Sequence, residues 1–281
     1  MSAGAPDRSR HSPIRPVRDA LPNDWIVPAW PAPANVQAFF TTRNAVTADG
    51  VRTAAFDVGG PPRASDDATA RAAIADHRRF LQQLLPSPPV WLDQAHGADV
   101  VGVDRAPGSP DDRWHRADGS VTRAPDVVLA IRVADCVPVL FTAADGSAIG
   151  AAHAGWRGMA AGVLEHTVDA MQCRPADIVA WIGPCIGAAA YEVGDDVRDA
   201  FVAGDDSAAA SFVRGQPGVR GQPGKWQADL AALARQRLAR AGVATVTTSG
   251  LCTASDPSRF FSFRRDRATG RMAAFIWRTR C

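Results

Sequence analysis

The sequence predicts one α/β domain, and three observations support this fold class. Apolar residues make up 46% of the 281 residues and charged residues 21%, so the chain can bury a sizeable core. Segments with strand character and segments with helix character intermix along the chain. No Pro/Gly-rich linker divides the stretch that carries the motifs. We therefore expect one domain over residues 35–281, preceded by a flexible N-terminal segment at 1–34.

Short segments rich in apolar, β-branched or aromatic residues predict the strands. They lie at 36–42, 127–133, 137–141, 148–152 and 179–182. Three of them follow one another closely and are separated only by turn or breaker residues. Their continuous apolar character is typical of strands that are buried on both faces.

Apolar residues at helical spacing predict the helices. These cover 66–84, 158–171, 194–202 and 227–241. Pro86 ends the first of them, and Gly242 follows the last at the position where a helix is commonly terminated.

The hexamer Val-Arg-Gly-Gln-Pro-Gly occurs twice in tandem, at 213–218 and 219–224. Its glycine, proline and glutamine residues provide too little apolar area to pack a core. We interpret 213–224 as an exposed loop insertion in the domain.

Net charge and cysteine content limit which partners and which cellular compartment we expect. The 31 basic and 29 acidic residues leave a formal net charge of +2, which disfavours nucleic acid and membrane surfaces as partners. Five cysteines, an odd number without close pairs, fit a reducing compartment. No apolar run approaches the ~18 residues of a membrane span. We therefore expect a soluble cytoplasmic protein, and its oligomeric state stays open.

Two of the six histidines lie beside predicted strands in the company of glycine. His96 precedes Gly97, and His153 lies at a strand-to-helix junction, while Cys136 lies between two buried strands. If chain reversals bring the three side chains together, two nitrogens and one thiolate would form a catalytic zinc site with an open fourth position. A buried structural role for Cys136, or a role as nucleophile, remains the alternative at this point.

Several motifs occur in the order that is found in one known family. They are Gln94-Ala95-His96-Gly97, Ala134-Asp135-Cys136-Val137-Pro138, His153-Ala154-Gly155-Trp156-Arg157-Gly158, Gly183-Pro184-Cys185-Ile186-Gly187, Tyr191-Glu192-Val193-Gly194, Cys252-Thr253 and Phe260-Phe261-Ser262-Phe263-Arg264-Arg265-Asp266. In this respect the chain resembles the laccase-domain family, long called multicopper polyphenol oxidase-like and later described as purine nucleoside phosphorylases. The resemblance covers roughly residues 36–276.

The resemblance implies a fold, a site and an activity. The fold is a single-domain layered α/β sandwich with mixed sheets flanked by helices. His96, Cys136 and His153 match the family's metal-binding and catalytic residues, with zinc as the metal. The implied reactions are phosphorolysis of adenosine, inosine and methylthioadenosine to the base and a ribose 1-phosphate, and deamination of adenosine. Copper binding has also been ascribed to the family.

The chain departs from the family pattern at two places. Ala188, Ala189 and Ala190 stand where further cysteines often occur, so extra thiolate ligands for several coppers are missing. Asp57 stands where a family motif has an amide, which bears on ribose or base preference if this position touches the substrate.

Phosphorolysis needs a site for phosphate beside the sugar. Arg43, Arg157 and Arg264 are the candidate substrate- and phosphate-binding residues, because arginine suits phosphate and each lies in or beside a motif. Asp135, next to Cys136, is assigned to the catalytic group as a residue that orients a ligand.

Three alternative functions use the same residues. Cys136 as nucleophile and His153 as base would make a cysteine-type amidase that edits peptidoglycan precursors. A copper-dependent polyphenol oxidase is the second alternative. The third is a metal-binding interaction module without catalytic activity.

Overall fold

The computed structural model describes residues 21–46, 52–53, 55–61, 67–108, 114–215 and 225–280. The strands in this part of the chain are β1 (Val36–Phe40), β2 (Ala45–Val46), β3 (Arg52–Thr53), β4 (Pro89–Val90), β5 (Val100–Gly102), β6 (Gly119–Thr122), β7 (Val128–Val133), β8 (Val137–Ala143), β9 (Ile149–Ala154), β10 (Ile178–Ile182), β11 (Glu192–Val193), β12 (Phe212–Arg214), β13 (Trp226–Ala228), β14 (Thr245–Thr248) and β15 (Met272–Arg278). The helices are α1 (Ala68–Leu84), α2 (Trp156–Ala160), α3 (Val163–Ala170), α4 (Asp195–Val202), α5 (Leu230–Arg240) and α6 (Phe263–Asp266). Short 3-10 helices cover Pro175–Asp177, Ala188–Ala190 and Asp206–Ser211.

Two mixed sheets form the centre of the molecule. The four-stranded sheet has the order β1-β15-β7-β4, and the six-stranded sheet has the order β14-β10-β8-β9-β6-β5. Most neighbours are antiparallel, but β4–β7, β10–β14 and β5–β6 are parallel pairs. Two smaller sheets, β11-β13-β12 and β2-β3, lie outside this pair.

Alternating side chains divide the core into three layers, because successive residues of a strand point to opposite faces. The layer between the two large sheets includes Phe40, Ile131, Leu140, Ile149 and Trp181. On the outer face of the four-stranded sheet, Leu81 of α1 joins a cluster with Phe39 and Phe275. On the outer face of the six-stranded sheet, residues of α3 and α5 join a cluster with Phe141. The predicted layered sandwich with mixed sheets flanked by helices is therefore confirmed.

All five predicted strands are present, with ends shifted by one or two residues. The C-terminal strand β15 was not predicted, although it is buried over most of its length.

Two predicted helices have different bounds in the structure. The predicted helix 158–171 is divided into α2 and α3 at Gly162, whose φ of +97° is in the left-handed region that interrupts an α-helix. The predicted helix 227–241 begins only at Leu230, because Asp229 caps it and 226–228 pair as strand β13.

Some residues before the boundary predicted at residue 34 pack against the core. Residues 1–20 lie outside the described residues, but the chain is packed from residue 21 onward. Trp25 is buried and stacks on Phe39 with ring centroids 5.3 Å apart, and Ile26 forms a β-bridge with Phe40. An indole of this size stabilises the domain by the apolar area that it buries, which holds the segment before β1 on the core.

The doubled hexamer begins inside a strand rather than a loop. Val213 and Arg214 pair with Gln227 and Trp226 in the β12–β13 hairpin. The remainder of the predicted insertion, 216–224, lies outside the described residues.

Helices in the described ranges all lack the combination of length and apolar character that crossing a membrane requires.

Candidate active site

Strands β8 and β9 bring Cys136 and His153 side by side. Cys136 directly precedes β8, and His153 is the next-to-last residue of β9. The antiparallel register pairs Pro138 with His153 and Val137 with Ala154. A residue just before one strand therefore meets a residue at the end of its neighbour, at one end of the sandwich.

His96 reaches the same place from a loop that Asp118 organises. The Asp118 carboxylate accepts backbone N–H groups from Ala95 at 3.0 Å, His96 at 3.0 Å and Gly97 at 2.7 Å. The backbone of His96 has φ of +59°, a left-handed conformation that is uncommon for a residue with a side chain. Three amides on one carboxylate explain how this conformation is held.

A second anchor of the His96 loop is the side chain of Gln94. Its amide nitrogen donates to the carbonyl of Arg132 at 2.8 Å, and its amide oxygen accepts the Arg132 backbone N–H at 2.9 Å. The pair joins the loop to strand β7, so the Gln-Ala-His-Gly motif is held at both ends.

The three side chains converge as the sequence predicted. One ligand atom from each of His96, Cys136 and His153 lies within 4.8 Å of the other two, and the Sγ of Cys136 is 3.8 Å from the Nε2 of His96. Nitrogen and sulfur ligands of a tetrahedral zinc are separated by about 3.6 Å when the usual bond lengths are combined. The cluster therefore offers donors of the type that zinc binds, and its distance between Cys136 and His96 is close to this separation.

Asp118 also fixes the ring of His153. Its Oδ1 is 2.7 Å from the Nδ1 of His153, and both side chains are buried. In this contact Nδ1 carries a proton and donates it in a hydrogen bond to the carboxylate. Nε2 is then available to bind a metal or to contact Cys136. Although burial opposes the charged imidazole, the Cys136 thiolate and Asp118 together raise the pKa of His153 to about 9.

Cys136 lies in a setting that favours the thiolate. Burial alone would raise its pKa, but the charge of His153 and hydrogen bonds from His153 and His96 outweigh burial and lower the pKa of Cys136 to about 6. A thiolate is the form in which cysteine binds metals and attacks electrophiles.

Asp135 is held by groups from the C-terminal part of the chain. Its carboxylate accepts hydrogen bonds from Thr253 Oγ1 at 2.6 Å, Ser262 Oγ at 3.0 Å and the backbone N–H of Arg264 at 2.7 Å. Its own φ of +94° is left-handed. These contacts connect the residue before Cys136 to the C-terminal part of the chain, which supports a positioning role.

The cluster forms part of the wall of a cavity of about 790 Å³. Arg157 and Arg264 line the same cavity. The Arg157 guanidinium lies 4.3 Å from the ring centroid of Trp156, and that of Arg264 lies 4.9 Å from the ring centroid of Tyr191. Two of the three predicted phosphate-binding arginines thus share a cavity with the cluster.

Arg43 is placed elsewhere. It is absent from the lining of this cavity, its guanidinium donates to the carbonyl of Pro257 at 3.0 Å, and it lies 4.9 Å from the ring centroid of Phe261. The structure does not bring Arg43 together with Arg157 and Arg264.

The comparison with protein families gives a match over most of the chain. Residues 37–279 match the family described as multi-copper polyphenol oxidoreductase laccase. The chain belongs to this family. Among curated relatives, a protein of Pseudomonas aeruginosa named purine nucleoside phosphorylase is 44% identical over 255 residues, covering 91% of this chain and 98% of its own. The purine nucleoside phosphorylase YfiH of Escherichia coli is 43% identical, covering 90% and 98%.

Solved structures share the fold of this chain. A Neisseria meningitidis protein superposes with a TM-score of 0.79 at 40% identity, covering 92% of this chain and all of that chain. YlmD from Geobacillus stearothermophilus superposes with a TM-score of 0.67 at 33% identity, covering 88% and 93%.

The name of the family refers to several coppers, but the described part of the chain offers one compact ligand group. Among the described residues, His96, Cys136 and His153 form the single group of three or more histidine, cysteine or carboxylate ligands. The segment Ala188–Ala190 forms a 3-10 helix without metal-binding side chains. A cluster of several coppers would need more ligands than these.

Asp57 is the second departure from the family pattern. One oxygen of its carboxylate is engaged in hydrogen bonds with the backbone. Its Oδ1 accepts the N–H of Gly59 at 2.7 Å and the N–H of Arg271 at 2.7 Å. The side-chain oxygen of an asparagine could accept the same two bonds. The exchange of amide for carboxylate therefore keeps the loop and adds a negative charge to the cavity wall.

Proposed function

We propose that the protein is a zinc-dependent purine nucleoside phosphorylase that also deaminates adenosine. The observation that carries this proposal is the His96–Cys136–His153 cluster in the wall of a cavity lined by arginine and aromatic side chains. The names of the relatives support the reaction class. The substrates would be adenosine, inosine and methylthioadenosine with phosphate, which give the free base and a ribose 1-phosphate. Free thiols at the four described cysteines agree with action in the cytoplasm.

His96, Cys136 and His153 would hold the zinc ion, and Asp118 would keep His153 in the tautomer that presents Nε2. When bound, zinc with an open coordination position supplies Lewis-acid activation, either of water for deamination or of an oxygen of the substrate. The residues of the chain fix the geometry, because the Asp118 carboxylate sets both the His153 ring and the His96 loop.

Phosphate would bind between Arg157 and Arg264, next to the cluster. Both guanidiniums line the cavity, and neither forms an ion pair with a carboxylate of the described ranges. Arg264 is held by donation to the carbonyl of Glu192 at 2.8 Å and by the Asp135 carboxylate, which accepts its backbone N–H. A guanidinium whose charge is not already paired is available for a phosphate dianion.

Aromatic side chains in the same cavity would contact the purine. Trp156, Tyr191 and Phe263 line it, and Phe263 is 49% exposed, which is unusual for a phenylalanine. An exposed ring at the wall of a cavity offers a surface on which a planar base can stack.

The decisive experiment uses protein of measured metal content with adenosine, with and without phosphate, and separates the products. Adenine that forms only with phosphate demonstrates phosphorolysis, and inosine demonstrates deamination. A Cys173→Ser variant serves as control, since this cysteine is absent from the cavity lining. If neither adenine nor inosine forms, the proposed function is wrong.

A cysteine-type amidase is a second candidate because the geometry also fits a nucleophile, a base and a group that orients the base. Cys136 has a depressed pKa, His153 contacts it, and Asp118 holds the far nitrogen of His153. This is the arrangement of Cys-His-Asp type nucleophilic sites. Covalent trapping of Cys136 by an acyl substrate in metal-free protein would favour the amidase, with peptidoglycan precursors as the substrate class.

A further inference from the structure

A second group of arginines lines the cavity apart from Arg157 and Arg264. We call Arg71, Arg132 and Arg271 the second arginine cluster. Arg71 is on the first turn of α1 and exposed, Arg132 is on β7 and buried, and Arg271 immediately precedes β15. Three different parts of the fold therefore bring positive charge to the same cavity.

The hydrogen bonds within this cluster go to neutral groups. Arg132 donates to the carbonyls of Gly59 at 3.0 Å and Leu92 at 2.8 Å, while its Nε is buried without a partner. Arg271 donates to the carbonyls of Thr269 at 2.7 Å and Gly270 at 3.0 Å. Within the described part of the chain, none of the three forms an ion pair with a carboxylate.

Arg132, the buried member of the cluster, is in an energetically unfavourable setting. Arg132 is only 8% exposed. Burial, followed by the charges of Arg78 and Arg271, lowers the pKa of Arg132 to about 9, although Asp93 and Asp57 act in the opposite direction. A buried guanidinium beside like charges is unfavourable unless a negative charge compensates it.

Two carboxylates that line the cavity, Asp57 and Asp67, are committed to backbone groups, and Asp93 forms no ion pair with the cluster in the described structure. Asp57 accepts the N–H groups of Gly59 and Arg271, and Asp67 caps α1 by accepting the N–H of Ala70 at 2.9 Å. They reduce the positive potential without occupying the guanidiniums. A ligand that brings its own negative charge would complete the site.

We propose that the second arginine cluster is a binding subsite for a phosphate dianion. The phosphate comes from one of two sources, namely inorganic phosphate or the phosphate of a nucleotide whose nucleoside part lies toward the His96–Cys136–His153 cluster. The inference rests on the proposed function only for the identity of that nucleoside part. Arginine suits this ligand because its planar donors match two phosphate oxygens at once.

Calorimetric titration of the full-length protein tests the subsite with three probes: inorganic phosphate, adenosine and adenosine 5′-monophosphate. The variants are Arg71→Gln and Arg271→Gln. Arg79→Gln is the matched control, because Arg79 is an exposed arginine of the same helix that pairs with Asp76 and does not line the cavity. Arg71 makes no side-chain hydrogen bond in the described structure, so its variant is expected to fold normally.

We expect each cluster variant to lose at least about tenfold in affinity for a phosphate-bearing probe, while adenosine affinity stays within about twofold. A loss of affinity for inorganic phosphate identifies the free ion as the ligand. A loss of affinity for adenosine 5′-monophosphate alone identifies the phosphate of a nucleotide substrate as the ligand. The Arg79→Gln protein should bind all three probes like the unmodified protein.

Two results separate this inference from the proposed function. Unchanged affinity for both phosphate probes in Arg71→Gln and Arg271→Gln overturns the subsite, whether or not the protein splits nucleosides. Arginine-dependent phosphate binding in a protein that yields neither adenine nor inosine overturns the proposed function and leaves the subsite in place.

Discussion

The carboxylate of Asp118 connects both histidines of the candidate metal site. It accepts from three successive backbone amides of the His96 loop and contacts the Nδ1 of His153. One side chain thus sets the position of two candidate ligands, and a change there should affect metal binding more than a change at a similarly buried residue that does not contact the cluster.

Replacing Asp118 by asparagine tests this role. The new amide group cannot accept, so at least one buried donor loses its partner at a cost of about 1–3 kcal/mol in unfolding free energy. We expect zinc affinity to fall about 10–100-fold, as is typical when a group that orients a metal-binding histidine is changed. Competition with a chelator measures the affinity. Asp99→Asn, at an exposed position near the same loop, should behave like the unmodified protein.

Replacing Cys136 by serine tests the thiolate. An alcohol is a far poorer zinc ligand at neutral pH, so zinc content and turnover of adenosine should fall together. Cys173→Ser should retain both, since Cys173 is outside the cavity. Full activity per folded molecule in a zinc-replete Cys136→Ser protein would contradict the catalytic assignment.

The sequence predicted the site only in part, and the reason is visible at single residues. His96, Cys136 and His153 lie in the motifs quoted for the family resemblance, so local sequence marks them. Asp118 lies in no such motif, and its partners are 21 to 35 residues away in the chain. Its role arises from the pairing of β6 with β9, which puts Gly119 beside Ala152. Local patterns carry no signal for such a contact.

At the scale of elements, helix α2 and the His96 loop are in close contact. A Cβ added at Gly158 would lie 2.5 Å from the carbonyl oxygen of Gly97. Such a distance is shorter than real side chains tolerate, and the atom in the way is backbone. The absence of a side chain at residue 158 is therefore what lets the loop and the helix pack together.

Gly158→Ala should displace the His96 loop. We expect a loss of about 1–3 kcal/mol in unfolding free energy, measured by urea denaturation, together with weaker zinc binding. Gly102→Ala is the control, because a Cβ there meets no atom within 4 Å, and its effect should stay within about 0.5 kcal/mol. Normal zinc affinity in the Gly158→Ala protein would show that the loop can move without disturbing the cluster.

Elements with strong local patterns were predicted, and those that depend on partners were not. Helix α5 follows from its leucines, of which Leu233 and Leu238 are buried. Strand β13, just before it, depends on pairing with β11 and β12 and has no pattern of its own over three residues. Strand β15 is the exception, because it is apolar from Met272 to Trp277 and yet was not predicted. It follows a polar, arginine-rich stretch that carries no conventional turn signal apart from Gly270.

At the scale of the whole molecule, the described start of the doubled hexamer belongs to β12 of the small β11-β13-β12 sheet and to neither of the two large sheets. The backbone N–H of Gly215 donates to the carbonyl of Lys225 at 2.9 Å, so the chain is already closed on either side of 216–224. Removing 219–224 would leave three residues between these two, which is a common length for a hairpin loop.

Deletion of residues 219–224 should therefore leave the melting temperature within about 2 °C and activity unchanged. Deletion of 213–224 should be more damaging, because Val213 and Arg214 pair with β13. Thermal unfolding measures the melting temperature of each deletion variant. Equal, large losses for the two deletions would show that the second hexamer packs against the domain.

The position of β15 has a consequence for how the protein is made. This strand follows every other element of the described chain, yet it lies between β1 and β7 in the four-stranded sheet. While the chain is still emerging from the ribosome, β1 and β7 lack β15, the strand that both of them pair with in the folded sheet. Their apolar side chains are then incompletely covered. Pairing of residues as distant as Val36 and Arg278 makes the last step of folding slow and non-local. Newly made chains should therefore depend on chaperones until β15 is free to pair with β1 and β7.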